Sequence, residues 1–347
     1  MNLELLTRPT GWYGKYSGYY EQLPRYLQSE GRVSRVLAPH NSIFNRVAGK
    51  CIALARGIPP RDQSVTWSEF IFERRMRSAE RFGHVLSFES HEELFRNPPA
   101  SFNRVCATLH LPPDLLNDSQ RESISNLSAG IVLYQRDLEF FEKRMGIGRV
   151  RFVPHGIDTD FFRPAQIPPD HSVLRMAYVG QFGRHTTQAS RVIAQLLILQ
   201  PDLYFDMVLA KEAFRSHDFE AIANHPRVIW HFGIPDSKLL SIYQSARALF
   251  LPLLASGANN AIVESLACGL PVVTTDVGGI RDYGGGSLFP LAPPENDNAL
   301  IELALHWLED TNDWITTSKK LRNFAEARLQ WSDCAQAHLH AYRNFFA

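Results

Sequence analysis

Cysteine is scarce in this 347-residue chain. There are four, Cys51, Cys106, Cys268 and Cys334, and no two form a CxxC pair. That excludes a disulfide frame and a cysteine zinc site, and it fits a reducing compartment. No apolar run approaches the roughly 20 residues that span a bilayer. The first strand is expected almost at Met1, which leaves no room for a signal peptide. Net charge is absent as well, with 36 Lys and Arg against 36 Asp and Glu, so there is no global electrostatic case for nucleic acid. Internal repeats and low-complexity segments are also lacking. The expectation is a cytoplasmic protein, at most peripheral to a membrane face.

What is present reads as a globular α/β protein. Hydrophobic residues make up 45% and charged residues 21%, and the length suits two domains. The charge is uneven. Up to Pro168 there are 22 Lys and Arg against 18 Asp and Glu, and after it 14 against 18. A mildly basic first half favours an anionic acceptor or an anionic membrane face. The segment Phe70 to Phe82 reads as a helix carrying Arg74, Arg75, Arg77 and Arg81. A basic amphipathic helix can lie on anionic lipid, but Glu69, Glu73 and Glu80 also suit a solvated helix with i,i+4 pairs.

Strand, glycine loop and helix open the chain: Leu3 to Leu6, then a loop containing Gly14, Lys15, Tyr16 and Gly18, then a helix from Tyr19 to about Leu27. This is the start of a doubly wound domain. Val33 to Ala38, His84 to Phe88, Arg104 to Leu109 and Gly130 to Leu133 read as further strands, and His40 to Trp67 as irregular. In open α/β sheets functional residues gather at the carboxyl ends of strands. His110 stands at such an end, with Pro112 and Pro113 behind it, and His91 and Glu89 are lesser candidates there. Asp158-Thr159-Asp160 has the form of a DxD metal motif, but its Asp residues better suit capping a turn before Phe161 and Phe162. No metal is expected. His338 and His340, two apart, splay on a helix and make no metal pair.

The stretch Ser256 to Tyr283, SGANNAIVESLACGLPVVTTDVGGIRDY, is the most informative. A small-residue loop, Ser256-Gly257-Ala258-Asn259-Asn260, precedes a helix from Ala261 to Cys268. Gly269 and Pro271 end that helix, a buried strand runs from Pro271 to Thr275, and Gly278-Gly279 follows. A loop of small residues leading into a helix is an anion site, because unpaired N–H groups and the helix dipole point at the ligand. Asn259 or Asn260 can cap the helix. Glu264, about one turn in, is well placed to accept hydrogen bonds from two neighbouring sugar hydroxyls.

These residues resemble the donor-binding motif of family 4 retaining glycosyltransferases (glycosyl transferases group 1). The resemblance implies the GT-B fold, two Rossmann-like doubly wound domains facing a central cleft. It implies an N-terminal acceptor-side domain over 1–168, a nucleotide-sugar domain over 169–330, and a C-terminal helix, 331–347, crossing back with Phe345 and Phe346 docked. In the family a first Glu, seven residues and a second Glu introduce this helix. Glu264 matches the second, which holds the ribose. Ser256 stands where the first, which contacts the donor sugar, would be.

Further roles follow from the same resemblance. The backbone of Ser256, Gly257, Ala258, Asn259 and Asn260, together with Gly14 and Gly18, serves the diphosphate. His110 lies near the donor sugar and acceptor hydroxyl. Family members carry an Arg where this chain has Gln181, and a Lys that is missing from Thr186-Thr187-Gln188. Arg184 and Lys211 are the replacement cations. The loop His231-Phe232-Gly233 resembles one that faces the base. The implied reaction moves a sugar, with retention, from a UDP- or GDP-linked donor to a saccharide or glycolipid acceptor. No cofactor or metal is required, and the setting by analogy is bacterial polysaccharide or glycolipid assembly. Two rival readings are a nucleotide-sugar-binding protein without transfer activity, for which Ser256 and Gln181 speak, and a nucleotide-sugar epimerase of the same fold.

Overall fold

The computed structural model describes residues 2–8, 15–57, 62–166, 173–180, 182–211 and 216–346. The chain divides into two compact units, Met1–His155 with Trp331–Ala347, and Gly156–Gln330. The division thus falls at His155–Gly156, earlier than the 168 expected. Residues 156–166 are tied into the second unit by hydrogen bonds. Ile157 N–H donates to Leu329 O at 2.6 Å and Arg322 Nη1 to Phe162 O at 2.9 Å. Asp158 closes the intervening turn, its Oδ1 accepting the N–H groups of Asp160 and Phe161 at 3.1 and 2.9 Å.

The first unit contains β1 (Asn2–Leu6), α1 (Tyr19–Ser29), β2 (Val33–Leu37), α2 (Ile43–Arg56), α3 (Gln63–Met76), β3 (Arg81–Val85), β4 (Val105–Leu109), α4 (Asp118–Ile124), β5 (Ala129–Val132), α5 (Leu138–Met145) and β6 (Val150–Phe152). All neighbouring strands are parallel, in the order β2-β1-β3-β4-β5-β6. Strand β4, VCATL, is buried at every position, as a strand covered on both faces must be. Glu4 is the charged exception in β1. Its buried carboxylate is gripped by Arg75 Nε at 2.6 Å and Nη2 at 2.7 Å, with Arg81 Nε at 3.8 Å.

Two expectations fail in this region. The helix expected over Phe70 to Phe82 is α3, which starts at Gln63, stops at Met76 and is followed by strand β3. Asp62 starts it by accepting the Ser64 N–H at 2.9 Å. The basic side chains assigned to a solvated or lipid-facing helix are partly committed inward, Arg75 and Arg81 to Glu4. The stretch His40 to Trp67, expected to be irregular, contains α2. Ser42 caps α2 at 3.1 Å through the Asn45 N–H, and Gly57 ends it in the left-handed region. Helix α2 lies against the start of α3 through Gly49, where a Cβ would stand 1.8 Å from Gln63 O.

The second unit contains β7 (Arg175–Val179), α6 (Thr186–Leu199), β8 (Tyr204–Leu209), β9 (Val228–Phe232), α7 (Asp236–Ser245), β10 (Ala248–Leu251), α8 (Asn260–Ala267), β11 (Val272–Thr274), α9 (Asp297–Glu309) and α10 (Thr311–Arg328). Its parallel sheet runs β11-β10-β7-β8-β9. The chain reverses its direction of travel across the sheet between β7 and β10. A doubly wound sheet opens its ligand crevice beyond the carboxyl ends of such a pair.

Helix α11 (Trp331–Phe345) completes the first unit by packing on α1. A buried row of polar groups links it to the sheet. Tyr342 Oη meets His84 Nδ1 at 2.6 Å, His84 Nε2 meets Thr108 Oγ1 at 2.8 Å, and Thr108 Oγ1 meets Tyr19 Oη at 2.8 Å. Tyr19 Oη then meets His338 Nε2 at 2.7 Å, and His338 Nδ1 lies 2.7 Å from Cys334 O. The carbonyl at the end is an acceptor only, so His338 Nδ1 donates and every bond before it takes one direction. Tyr342 donates to His84, His84 to Thr108, Thr108 to Tyr19, and Tyr19 to His338. Both histidines are neutral in this arrangement, and burial pulls the pKa of each below its ordinary value. Among the described residues no helix is long and apolar enough to cross a membrane.

Candidate functional site

Three segments meet at the β7/β10 switch point. The first is the loop leaving β7, which is laced to the loop leaving β10. His185 N–H donates to Pro252 O at 3.0 Å, Leu254 N–H to Gly183 O at 2.9 Å, and Arg184 pairs with Leu253 in an antiparallel bridge. The second is the loop from Ser256 to Asn259, and the third is helix α8. The Ser256 carbonyl accepts the Gly279 N–H at 2.9 Å. Gly278, at φ +56°, must be glycine for this, since a Cβ there would lie 1.7 Å from Ser256 O. The small-residue loop and the Gly-Gly turn are therefore one structure.

Arg184 is half-buried and reaches into this loop. Its Nη2 donates to Val179 O at 2.9 Å and to Asn259 Oδ1 at 3.3 Å, Nη1 to Phe182 O at 2.7 Å, and Nε to Val179 O at 3.3 Å. Burial lowers its pKa from the ordinary value, and the nearby Tyr178, Tyr243 and Glu264 oppose that shift. A guanidinium remains charged under such conditions. Asn259 occupies the N-cap position of α8, yet its side chain makes no capping bond. The cap expected of it is not made, because Arg184 takes its amide oxygen. The first N–H groups of α8 have no acceptor within the helix, and the helix dipole adds partial positive charge beside the Arg184 cation.

Glu264 is one turn further along α8 and only 4% exposed. Its Oε2 accepts the hydroxyl of Tyr243, on α7, at 2.8 Å. Burial, then the Glu264 charge, push the Tyr243 pKa well above normal, so the phenol keeps its proton and donates. Tyr243 has no signal in the sequence, since it lies 21 positions before Glu264 on another helix. Ser256 is buried, and its hydroxyl donates to Gly257 O at 3.1 Å. No carboxylate replaces the one that the family motif has at that position.

The remaining candidates lie elsewhere. Lys211 follows β8, exposed, and makes no hydrogen bond or ion pair among the described residues. His231 lies within β9 and its Nε2 is 2.7 Å from Asp206 Oδ1. Gln181 and Gly14 lie outside the described residues. Gly18 is the N-cap of α1 at φ −70°, a conformation open to any residue.

In the first unit His110 sits just past the carboxyl end of β4, as expected. Its Nε2 lies 2.8 Å from Leu86 O, which fixes Nε2 as the protonated nitrogen and leaves the Nδ1 lone pair. The ring packs edge-on to Tyr19 at 5.1 Å and tilted to Tyr20 at 5.3 Å. Burial lowers its pKa, partly opposed by Glu89. An imidazole so held can accept a hydrogen bond from a hydroxyl. Glu89 and His91, lesser candidates for an acceptor, have structural duties. Glu89 Oε1 accepts the N–H groups of His110 and Leu111 at 2.6 and 2.9 Å. His91 is buried, with Nδ1 3.0 Å from Glu69 Oε1 and Nε2 3.3 Å from Thr7 O.

Known proteins resemble this chain in sequence and fold. Residues 175–310, most of the second unit, match the family described as Glycosyl transferases group 1. Among curated relatives, one subunit of the phosphatidylinositol N-acetylglucosaminyltransferase of Arabidopsis thaliana is 22% identical over 234 residues. That is 64% of this chain but only half the length of the plant protein. Among solved structures, sucrose-phosphate synthase from Thermosynechococcus elongatus superposes with a TM-score of 0.76 at 18% identity, covering 100% of this chain and 99% of that one. HepE of Anabaena, solved with UDP-glucose, gives 0.73 at 14% identity over 98% and 99%. The fold is that of GT-B glycosyltransferases.

Proposed function

We propose that the protein is a glycosyltransferase that moves a sugar from a nucleoside diphosphate sugar to an acceptor hydroxyl with retention of configuration. One observation carries the reading. The Arg184 cation, the amino end of α8 and the buried Glu264 carboxylate gather at the switch point of the second sheet. A diphosphate and a ribose diol need that pair of complementary charges. The group 1 match and the UDP-glucose bound by HepE support the same assignment.

In this reading Glu264 accepts hydrogen bonds from the two ribose hydroxyls, with Tyr243 fixing its orientation. The N–H groups from Gly257 to Asn260 and Arg184 meet the charge that grows on the diphosphate as the glycosidic bond breaks. Donors already aimed at developing charge are usually the largest catalytic contribution. Lys211 is the second cation. His110 accepts a hydrogen bond at Nδ1 on the acceptor side. A saccharide or glycolipid is the acceptor class, and the donor is UDP- or GDP-linked. The transfer needs no metal, so excess EDTA leaves turnover unchanged.

Thermal unfolding with UDP, GDP, ADP and their sugar conjugates tests the reading. A ligand held only by the folded chain stabilises it by about 2.7 kcal/mol at a hundredfold excess over its dissociation constant. One base is expected to raise the midpoint, and Glu264→Ala to remove that rise. Ser256, turned onto its own loop, favours a second reading, a donor-binding protein without transfer. A nucleotide-dependent shift with no product on any acceptor would decide for it.

A further inference from the structure

We propose that α2 is a membrane-docking surface that lies along an anionic lipid bilayer. Ile43 is 74% exposed, Phe44 68%, Val47 58% and Leu54 75%. From Phe44 through Val47 and the exposed Cys51 to Leu54 the positions step by three or four residues, and Ile43 lies one turn before Val47, so they form one stripe along the helix. The other exposed large apolar residues are distributed over the rest of the described chain, whereas these four share 14 residues of helix. The opposite side of α2, with Gly49 and Ala53 buried, holds it to the unit, and Gly49 brings the backbone against Gln63. The helix is therefore anchored on one side and apolar on the open one.

Charge selects the occupant. Helix α2 carries Arg46, Lys50 and Arg56 and no acidic residue. Arg56 pairs with Glu73 at 2.8 Å, while Arg46 and Lys50 make no ion pair among the described residues. On a helical projection Lys50 and Arg46 border the apolar stripe along one edge. An apolar stripe of this width with an unpaired basic border suits the headgroup boundary of a negatively charged leaflet. It does not suit a second copy of the same helix, whose own basic border would face it with no acidic partner. The α3 segment carries no such surface, since its aromatic Phe72 and its Arg75 are turned inward.

Cys51 gives a built-in probe, because the other three cysteines are buried. The full chain, labelled at Cys51 with a polarity-sensitive fluorophore, is mixed with vesicles of phosphatidylglycerol or of phosphatidylcholine. The expected result is a blue shift and co-sedimentation with phosphatidylglycerol, weakened by salt, and much weaker binding to phosphatidylcholine. The unlabelled triple substitution Ile43→Ser, Val47→Ser, Leu54→Ser should keep the thermal midpoint and lose about a hundredfold in partitioning. Arg46→Gln with Lys50→Gln should lose about thirtyfold. Absence of binding to phosphatidylglycerol by the native chain overturns the proposal. So does full binding by the triple variant, or a dimer in solution that the triple variant dissolves.

Discussion

The hydroxyl of Tyr243 donates to Glu264 Oε2 across 2.8 Å, and both side chains are buried. A carboxylate with one oxygen pinned this way has little freedom to turn. Tyr243→Phe removes the donor while keeping the ring. Leaving a buried acceptor short of a partner costs about 1–3 kcal/mol, so nucleotide affinity should fall about tenfold. Calorimetric titration checks this. Unchanged affinity would mean that Glu264 is positioned by other contacts.

Arg184 holds three acceptors at once, Val179 O, Phe182 O and Asn259 Oδ1. A lysine cannot reproduce that planar fork. Arg184→Lys is therefore expected to lower kcat about as much as Arg184→Ala, by about a hundredfold, as when a donor to developing charge is lost. Steady-state kinetics with the donor identified by thermal shift decides it. Activity restored by lysine would reduce Arg184 to a simple point charge.

The neutral histidines make the first unit sensitive to acid. Burial holds His338 at about 4 and His84 well below the ordinary 6.5. The unfolded chain therefore takes up protons first as pH falls below about 6.5, and the balance shifts toward unfolding. The stabilisation is complete above 6.5 and is lost downward, with the His338 share exhausted near pH 4. Each histidine contributes a slope of up to about 1.4 kcal/mol per pH unit. Urea unfolding at about pH 7.5, 6 and 5 should show it, and His338→Gln should flatten the profile while lowering stability at the highest of the three.

Glu4 is a buried charge held by arginines, Arg75 at 2.6 Å and Arg81 at 3.8 Å. Arg75→Ala should destabilise the chain by about 3–5 kcal/mol, because the carboxylate would lose its bidentate partner. Glu4→Leu combined with Arg75→Met should recover most of that loss. Denaturant titration of the three variants measures it. A small effect of Arg75→Ala would mean that Arg81 moves in to take over.

Legibility follows the range of the contacts. Glu264, the helix around it and its Gly-Pro stop are readable because their signals are local in the chain. The strand end at His110 is readable for the same reason, from the prolines behind it. A capping duty for Asn259 is the natural reading of its neighbours, and it fails because Arg184, 75 positions away, competes for its side chain. Tyr243 stays hidden because its partner lies on another helix. Glu69 suits a solvated i,i+4 pair by its spacing but is buried against His91. Helix α2 is hard to recognise because its buried side is made of Gly49 and Ala53 and its large apolar residues face outward, the reverse of the usual pattern.

The row of hydrogen bonds from Tyr342 to Cys334 also bears on the order of events at the ribosome. His84 and Tyr19 emerge early, yet Tyr342 and His338, to which they bond, lie beyond residue 330. The first unit therefore cannot close its interior during synthesis until the whole second unit has been made. Domains usually fold in sequence from the amino end. Here the later-made Gly156–Gln330 unit is the one free to fold first, and the earlier-made one waits for its final helix.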